Sequence, residues 1–113
     1  MEDLLNTNDQ NTAMSIIAFS GEGRSDAFDA LTAAEEGNFS KAESLINESS
    51  HKICKAHNVQ TKMLDDEANG KKITPSILTI HAQDHFMTSM LANDLIKEII
   101  KLEKQIYELK KGK

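Results

Sequence analysis

At 113 residues, with no Trp, one Tyr and four Phe, the chain is long enough for a single core packed mainly by aliphatic side chains and Ala, and too short for two. Thirteen basic against eighteen acidic residues leave a net charge of −5, the wrong sign for a surface that neutralises nucleic-acid phosphates. No run of 18 apolar residues is present, and Met1–Gln10 has neither a basic start nor an apolar stretch, so the sequence reads as cytoplasmic, without a secretory signal or a membrane span. The lone Cys54 fits a reducing compartment, and without a basic cluster nearby it reads as packing.

One Pro and five Gly leave room for long helices. Residues 1–10 are polar without apolar periodicity and read as a mobile tail, leaving 11–113 as one domain. From Asn11 to Glu36, Ile16, Ile17, Phe19, Ala27, Phe28, Leu31 and Ala34 predict a first helix, closed by Gly37-Asn38. Gly21 and Gly23 weaken it locally and leave space for another backbone to approach. Ser40 with Glu43 has the spacing of a capping box for a second helix, which carries Leu45, Ile46, Ile53, Ala56, Met63 and Leu64 and ends at Asn69-Gly70. Thr74-Pro75 reads as the N-cap and first position of a third helix. With no strand candidate left over, the predicted class is all-α.

In the third helix Ile77, Ile80, Asp84, Met87, Leu91, Leu95, Ile99, Leu102, Ile106 and Leu109 recur every three or four residues. A helix from Pro75 to Lys110 is roughly 50 Å long at 1.5 Å per residue, more than a compact monomer needs. A seam of that length predicts self-association, with a monomeric three-helix bundle as the alternative. Asp84 is the exception in the row. Copies of it brought to a symmetry axis need protonation or a cation among them, and a role in fixing register is compatible with either.

His81 lies one turn before Asp84, and His85 four residues beyond His81. An imidazole at the edge of a helix interface suits a nucleophile. The same i, i+4 pair also has zinc-chelating spacing: His81-Ala82-Gln83-Asp84-His85 approaches the H-x-x-E-H pattern, with Asp in place of Glu and no third ligand in view. A metal-dependent hydrolase and a helical adaptor with no chemistry therefore stand beside a nucleophilic carrier.

Four segments carry a resemblance: Ser20-Gly21-Glu22-Gly23-Arg24-Ser25, Glu36-Gly37-Asn38-Phe39 with Ala42, Ala56-His57-Asn58-Val59-Gln60-Thr61, and His81-Ala82-Gln83-Asp84-His85-Phe86-Met87-Thr88. In order and spacing the chain resembles the lactose/cellobiose (and chitobiose) family of enzyme IIA components of the phosphoenolpyruvate-dependent sugar phosphotransferase system. The resemblance implies a homotrimer of three-helix subunits, nine helices in all. It implies that His81 is the phosphorylated nucleophile and that Asp84 is the buried axial carboxylate, able to hold one divalent cation such as Mg2+ per trimer. Gln83 and His85 match positions beside the active site. The implied donor is the phosphohistidine of HPr. The implied acceptor is a cysteine of the cognate enzyme IIB, which serves disaccharide uptake through the membrane enzyme IIC. An apolar rim from Phe86, Met87 and Met90 is expected to keep water from the group in transit. His57 is expected to be a packing histidine, with a place near the site as the alternative, and Arg24 to pair with an acidic neighbour, with phosphate binding as the alternative.

Overall fold

The computed structural model describes residues 7–73 and 75–112, which form three helices: α1 (Thr7–Glu35), α2 (Phe39–Ala68) and α3 (Ile77–Lys111). No strand occurs among the described residues. The helix α1 starts at Thr7, four residues earlier than the apolar pattern suggested; of the expected tail, residues 1–6 lie outside the described residues.

Both turns use the same device. Gly37 has φ +80°; its N–H donates to the Ala34 carbonyl (3.0 Å), and Asn38 N–H donates to Ala33 (2.9 Å). At the end of α2, Gly70 has φ +90°; it donates to Glu67 (3.0 Å), and Lys71 donates to Asp66 (2.9 Å). This paired i→i−3 and i→i−5 pattern satisfies two otherwise orphaned carbonyls, and its positive-φ residue is the reason glycine stands there.

The helix starts differ from the sequence reading. Asn38, not Ser40, caps α2: its side chain accepts from Lys41 N–H at 3.2 Å, so the helix begins at Phe39 and the Ser40–Glu43 box does not form. At α3 the cap is Ser76, in extended backbone, whose hydroxyl accepts from Thr79 N–H (3.1 Å) while Thr79 Oγ1 accepts from Ser76 N–H (3.0 Å). Pro75 thus precedes the cap instead of opening the helix, and the expected cap Thr74 lies outside the described residues. Thr at the third position closes the reciprocal box that Glu or Gln usually closes.

Helix α1 lies between the other two and packs along both, whereas α2 and α3 meet less extensively. Its alanines make this possible: Ala13, Ala27, Ala30, Ala33 and Ala34 are all buried, and small side chains let helix axes approach. Gly23 carries this furthest, because a Cβ there would stand 2.8 Å from Ile53 Cδ1 and 3.2 Å from the Ser49 carbonyl. Around Phe86, which is fully buried, gather Ala13, Ile16, Ile53, Ala56 and Ala82; a second cluster holds Ala27, Ala30, Ile46 and Ile96. Between them a polar relay joins the three helices: Asn93 Nδ2 donates to Ser49 Oγ (2.7 Å), which donates to the Gly23 carbonyl (2.6 Å). Each buried polar atom of that relay has a partner, which offsets its desolvation. Outside, Lys52 bridges to Asp26 at 2.7 Å, tying α2 to α1.

Helix α3 carries two rows. Thr79, Ala82, Phe86, Ser89, Asn93 and Ile96 face the core. The row Ile77, Ile80, Met87, Leu91, Leu95, Ile99, Leu102, Ile106 and Leu109 is exposed over its whole length. The single chain therefore leaves its longest apolar row uncovered, with Asp84 exposed among it. Phe28 and Leu64, part of the apolar patterns of the first two helices, are also more than half exposed.

Candidate functional site

Successive helical residues turn by 100°, so His81 and Asp84 are about 60° apart around α3, and Gln83 lies about 100° from Asp84 on the other side. The exposed row, with Asp84 in it, therefore has two unlike flanks. One holds His81 and His85 and faces α1. The other holds Gln83 and faces α2.

On the first flank His81 is exposed. Its ring centroid is 5.6 Å from that of His85, with the planes tilted by 30°. His85 is half-buried. Its Nδ1 is 3.4 Å from Ser89 Oγ, a weak contact, and its Nε2 stands where a Cβ on Gly21 would come within 3.5 Å. A Cβ at Gly21 would touch this ring at ordinary van der Waals distance, so the ring sits close against α1 and leaves no room there for a larger side chain. Burial, then the positive charge of Arg24, then His81, lower the His85 pKa below the ordinary histidine range, which keeps the ring uncharged at neutral pH. Arg24 makes no ion pair among the described residues; the expected acidic partner is not there, and its charge acts on the histidine flank instead.

On the second flank Gln60 Nε2 donates to Gln83 Oε1 at 2.6 Å, and Gln83 Nε2 points to Met63 Sδ at 3.8 Å. Gln83 lines a groove of about 260 Å³ together with Met63, Leu64, Ile73, Pro75 and Ile80, with Glu67 and Thr79 as its other polar members. His57, exposed on α2, lays its ring on Phe86 (centroids 5.8 Å apart, planes at 11°), which agrees with a packing role.

The structure thus brings His81 and His85 together, with the Arg24 charge felt at His85, and sets Gln83 on the other flank within one chain. It moves Phe86 from the expected rim into the core, where it is fully buried, leaving Met87 and the half-buried Met90 nearer the surface. Cys54, expected to pack, is exposed. No group of three or more His, Cys, Asp or Glu side chains converges among the described residues; one subunit brings a single carboxylate to the Asp84 position. None of the described helices is long and apolar enough to cross a membrane. Two interactions escaped the sequence reading, the Gln60–Gln83 hydrogen bond and the electrostatic influence of Arg24 on His85. Both lie inside segments quoted above, and each needs the register of one helix against another to become visible.

The profile of the family described as PTS system, Lactose/Cellobiose specific IIA subunit, matches residues 11–104. The chain belongs to that family. It is a IIA component of the phosphotransferase system, in the lactose/cellobiose/chitobiose class. It is 46% identical over 90 residues to the lactose-specific EIIA component of Staphylococcus epidermidis, covering 80% of this chain and 86% of that protein. It is 40% identical over 97 residues to the N,N'-diacetylchitobiose-specific EIIA component of Escherichia coli, covering 86% of this chain and 84% of that one. The crystal structure of the cellobiose-specific enzyme IIA from Bacillus anthracis superposes with a TM-score of 0.88 at 34% identity, over 92% of this chain and 95% of that one. The IIA(Chitobiose) chain of the Escherichia coli IIA(Chitobiose)–HPr complex does so with 0.76 at 37%, over 95% and 99%. The all-helical fold and the family resemblance read from the sequence agree with these findings.

Proposed function

We propose that this IIA component carries a phosphoryl group on His81, taking it from phospho-HPr and delivering it to a cysteine of a cognate IIB during uptake of a disaccharide of the lactose, cellobiose or chitobiose type. The observation that carries the reading is the placement of His81: exposed, at the edge of an uncovered apolar row, beside an imidazole held uncharged. The relative from Escherichia coli that forms a complex with HPr supports the donor.

In the first step a ring nitrogen of His81 attacks phosphorus in line as the donor's N–P bond breaks; in the second a IIB thiolate attacks and the N–P bond on His81 breaks. The group passes through a loose transition state that needs alignment and charge stabilisation. The Arg24 charge supplies positive potential on that flank, and an uncharged His85 offers a hydrogen-bonding ring without competing for the phosphoryl oxygens as a cation.

The uncovered row supports a homotrimer in which three α3 helices meet along it. A parallel threefold arrangement sets the His81 flank of one helix against the Gln83 flank of the next, so the second flank completes the site in trans. Gln83 then donates to phosphoryl oxygens, and the groove of apolar side chains around it excludes water. The three Asp84 carboxylates come together at the axis. Such an all-oxygen donor set fits a hard divalent cation such as Mg2+, which would neutralise the carboxylates and take no part in the transfer. The membrane enzyme IIC is the downstream partner through IIB, and the site of action is the cytoplasm.

Incubation with enzyme I, HPr and labelled phosphoenolpyruvate tests the reading. One acid-labile label per subunit on His81 is the expected result; label that persists in His81→Gln sinks it.

A further inference from the structure

We propose that Gln60 on α2 is a positioning residue for the transfer, fixing which end of the Gln83 amide is offered to the phosphoryl group; this role rests on the carrier reading above. The two amides meet end to end. Gln60 Nε2 donates to Gln83 Oε1 at 2.6 Å in a partly buried contact. Each nitrogen also faces a thioether: Gln83 Nε2 lies 3.8 Å from Met63 Sδ, and Gln60 Nε2 lies 4.0 Å from Met87 Sδ.

A thioether sulfur accepts, weakly, and cannot donate. Turning the Gln83 amide over would place its NH2 against the NH2 of Gln60 and its carbonyl oxygen against the Met63 sulfur. Both contacts would then be mismatched. Turning both amides together would keep the bond between them but set both carbonyl oxygens against thioether sulfurs, so the favoured sense is the one in which the Gln83 carbonyl is occupied by Gln60 and its nitrogen keeps an N–H to give. Phosphoryl oxygens only accept, so the N–H end is the useful one. The Gln60–Gln83 contact is partly buried, so water competes less for its donor and acceptor than at an open surface. Gln60 need not touch the reacting atoms. It acts through Gln83.

Two substitutions separate this role from packing. Gln60→Met keeps length and removes the donor. Gln60→Glu, ionised at pH 8, keeps length and can only accept, so it draws the Gln83 NH2 toward itself and turns the carbonyl outward. The measurement is kcat/KM for label uptake from phospho-HPr, with each variant built in the wild-type and Gln83→Met backgrounds. In the wild-type background the expected losses are about fivefold for Gln60→Met, the size of one hydrogen bond, and about a hundredfold for Gln60→Glu, the size of a lost preorganised donor. With Met at 83 no amide remains to be turned, and both losses are expected to fall below about threefold. The Gln83 side-chain NH2 resonances give a reading independent of turnover. They should move strongly in Gln60→Glu, in subunits whose helicity and assembly match wild type.

Equal rates for the Met and Glu variants overturn the role. So does a Glu loss that persists undiminished with Met at 83, or Gln83 resonances that do not move. A wild-type chain that takes no label on His81 overturns the carrier reading and this role together, whereas a labelled wild type with insensitive Gln60 variants overturns the Gln60 role alone.

Discussion

Between His81 and His85 the helix sets two imidazoles 5.6 Å apart in unlike surroundings, one exposed and one pressed against α1 where Gly21 has no side chain. Burial and the Arg24 charge bias the second toward its uncharged form, whereas the exposure of the first makes it the ring that a docking partner can reach. His81→Gln should therefore lose phosphate uptake by more than about a thousandfold, as when a covalent nucleophile is removed, while far-UV circular dichroism stays unchanged because the side chain supports no packing. Gly21→Leu should push the His85 ring off its seat. It should slow uptake through that displacement with little loss of helix, a result that rate measurement and circular dichroism read together. The pair was legible in the sequence as two histidines at helical spacing. Their unlike surroundings were not, since these depend on Gly21, some sixty residues earlier in the chain, coming to lie beside His85, and on the Arg24 charge reaching it.

The three helices and both breaks between them were legible because glycine followed or preceded by Asn marks a positive-φ turn whatever the tertiary context. The starts were harder. Ser40 with Glu43 has the right spacing, yet Asn38 comes first after the Gly37 turn and captures the Lys41 N–H, so α2 is already under way when Ser40 is reached. At α3 the box is closed by Thr79, a residue whose hydroxyl does the work usually looked for in a carboxylate or amide. Ser76→Ala should cost about 1 kcal/mol through loss of that cap, visible as a fall of several degrees in melting temperature. Gly37→Ala should cost about 1 kcal/mol as well, here because an L side chain is forced into left-handed backbone at φ +80°. Chemical denaturation of both variants checks the two figures.

Periodicity also told only half the story of α3. It found the row from Ile77 to Leu109, but a helix has more than one side, and the side that holds the subunit together is the quieter one of Thr79, Ala82, Phe86, Ser89, Asn93 and Ile96. Small and polar residues dilute that row, so it stands out less, although Phe86 lies at its centre. With the inner row assigned, the outer one has no partner among the described residues. Leu95→Asp, in the middle of the outer row, should yield monomers in analytical ultracentrifugation without unfolding the subunit. In the proposed trimer, Asp84→Leu should leave the assembly intact or make it harder to dissociate, because an apolar side chain would replace carboxylates brought together at the axis. Dissociation of that variant at micromolar concentration would contradict the axial placement.

The bare row has a further consequence, for how firmly the molecule stays folded. When a large share of oily surface becomes dry only by meeting other copies, mass action enters the melting curve, and there is no single temperature at which such a protein comes apart. A tenfold dilution should bring the midpoint down, and a concentrated sample should survive heating that ruins a dilute one. Abundance in the cell, set by how strongly the chain is expressed, would then act as a stabiliser in its own right.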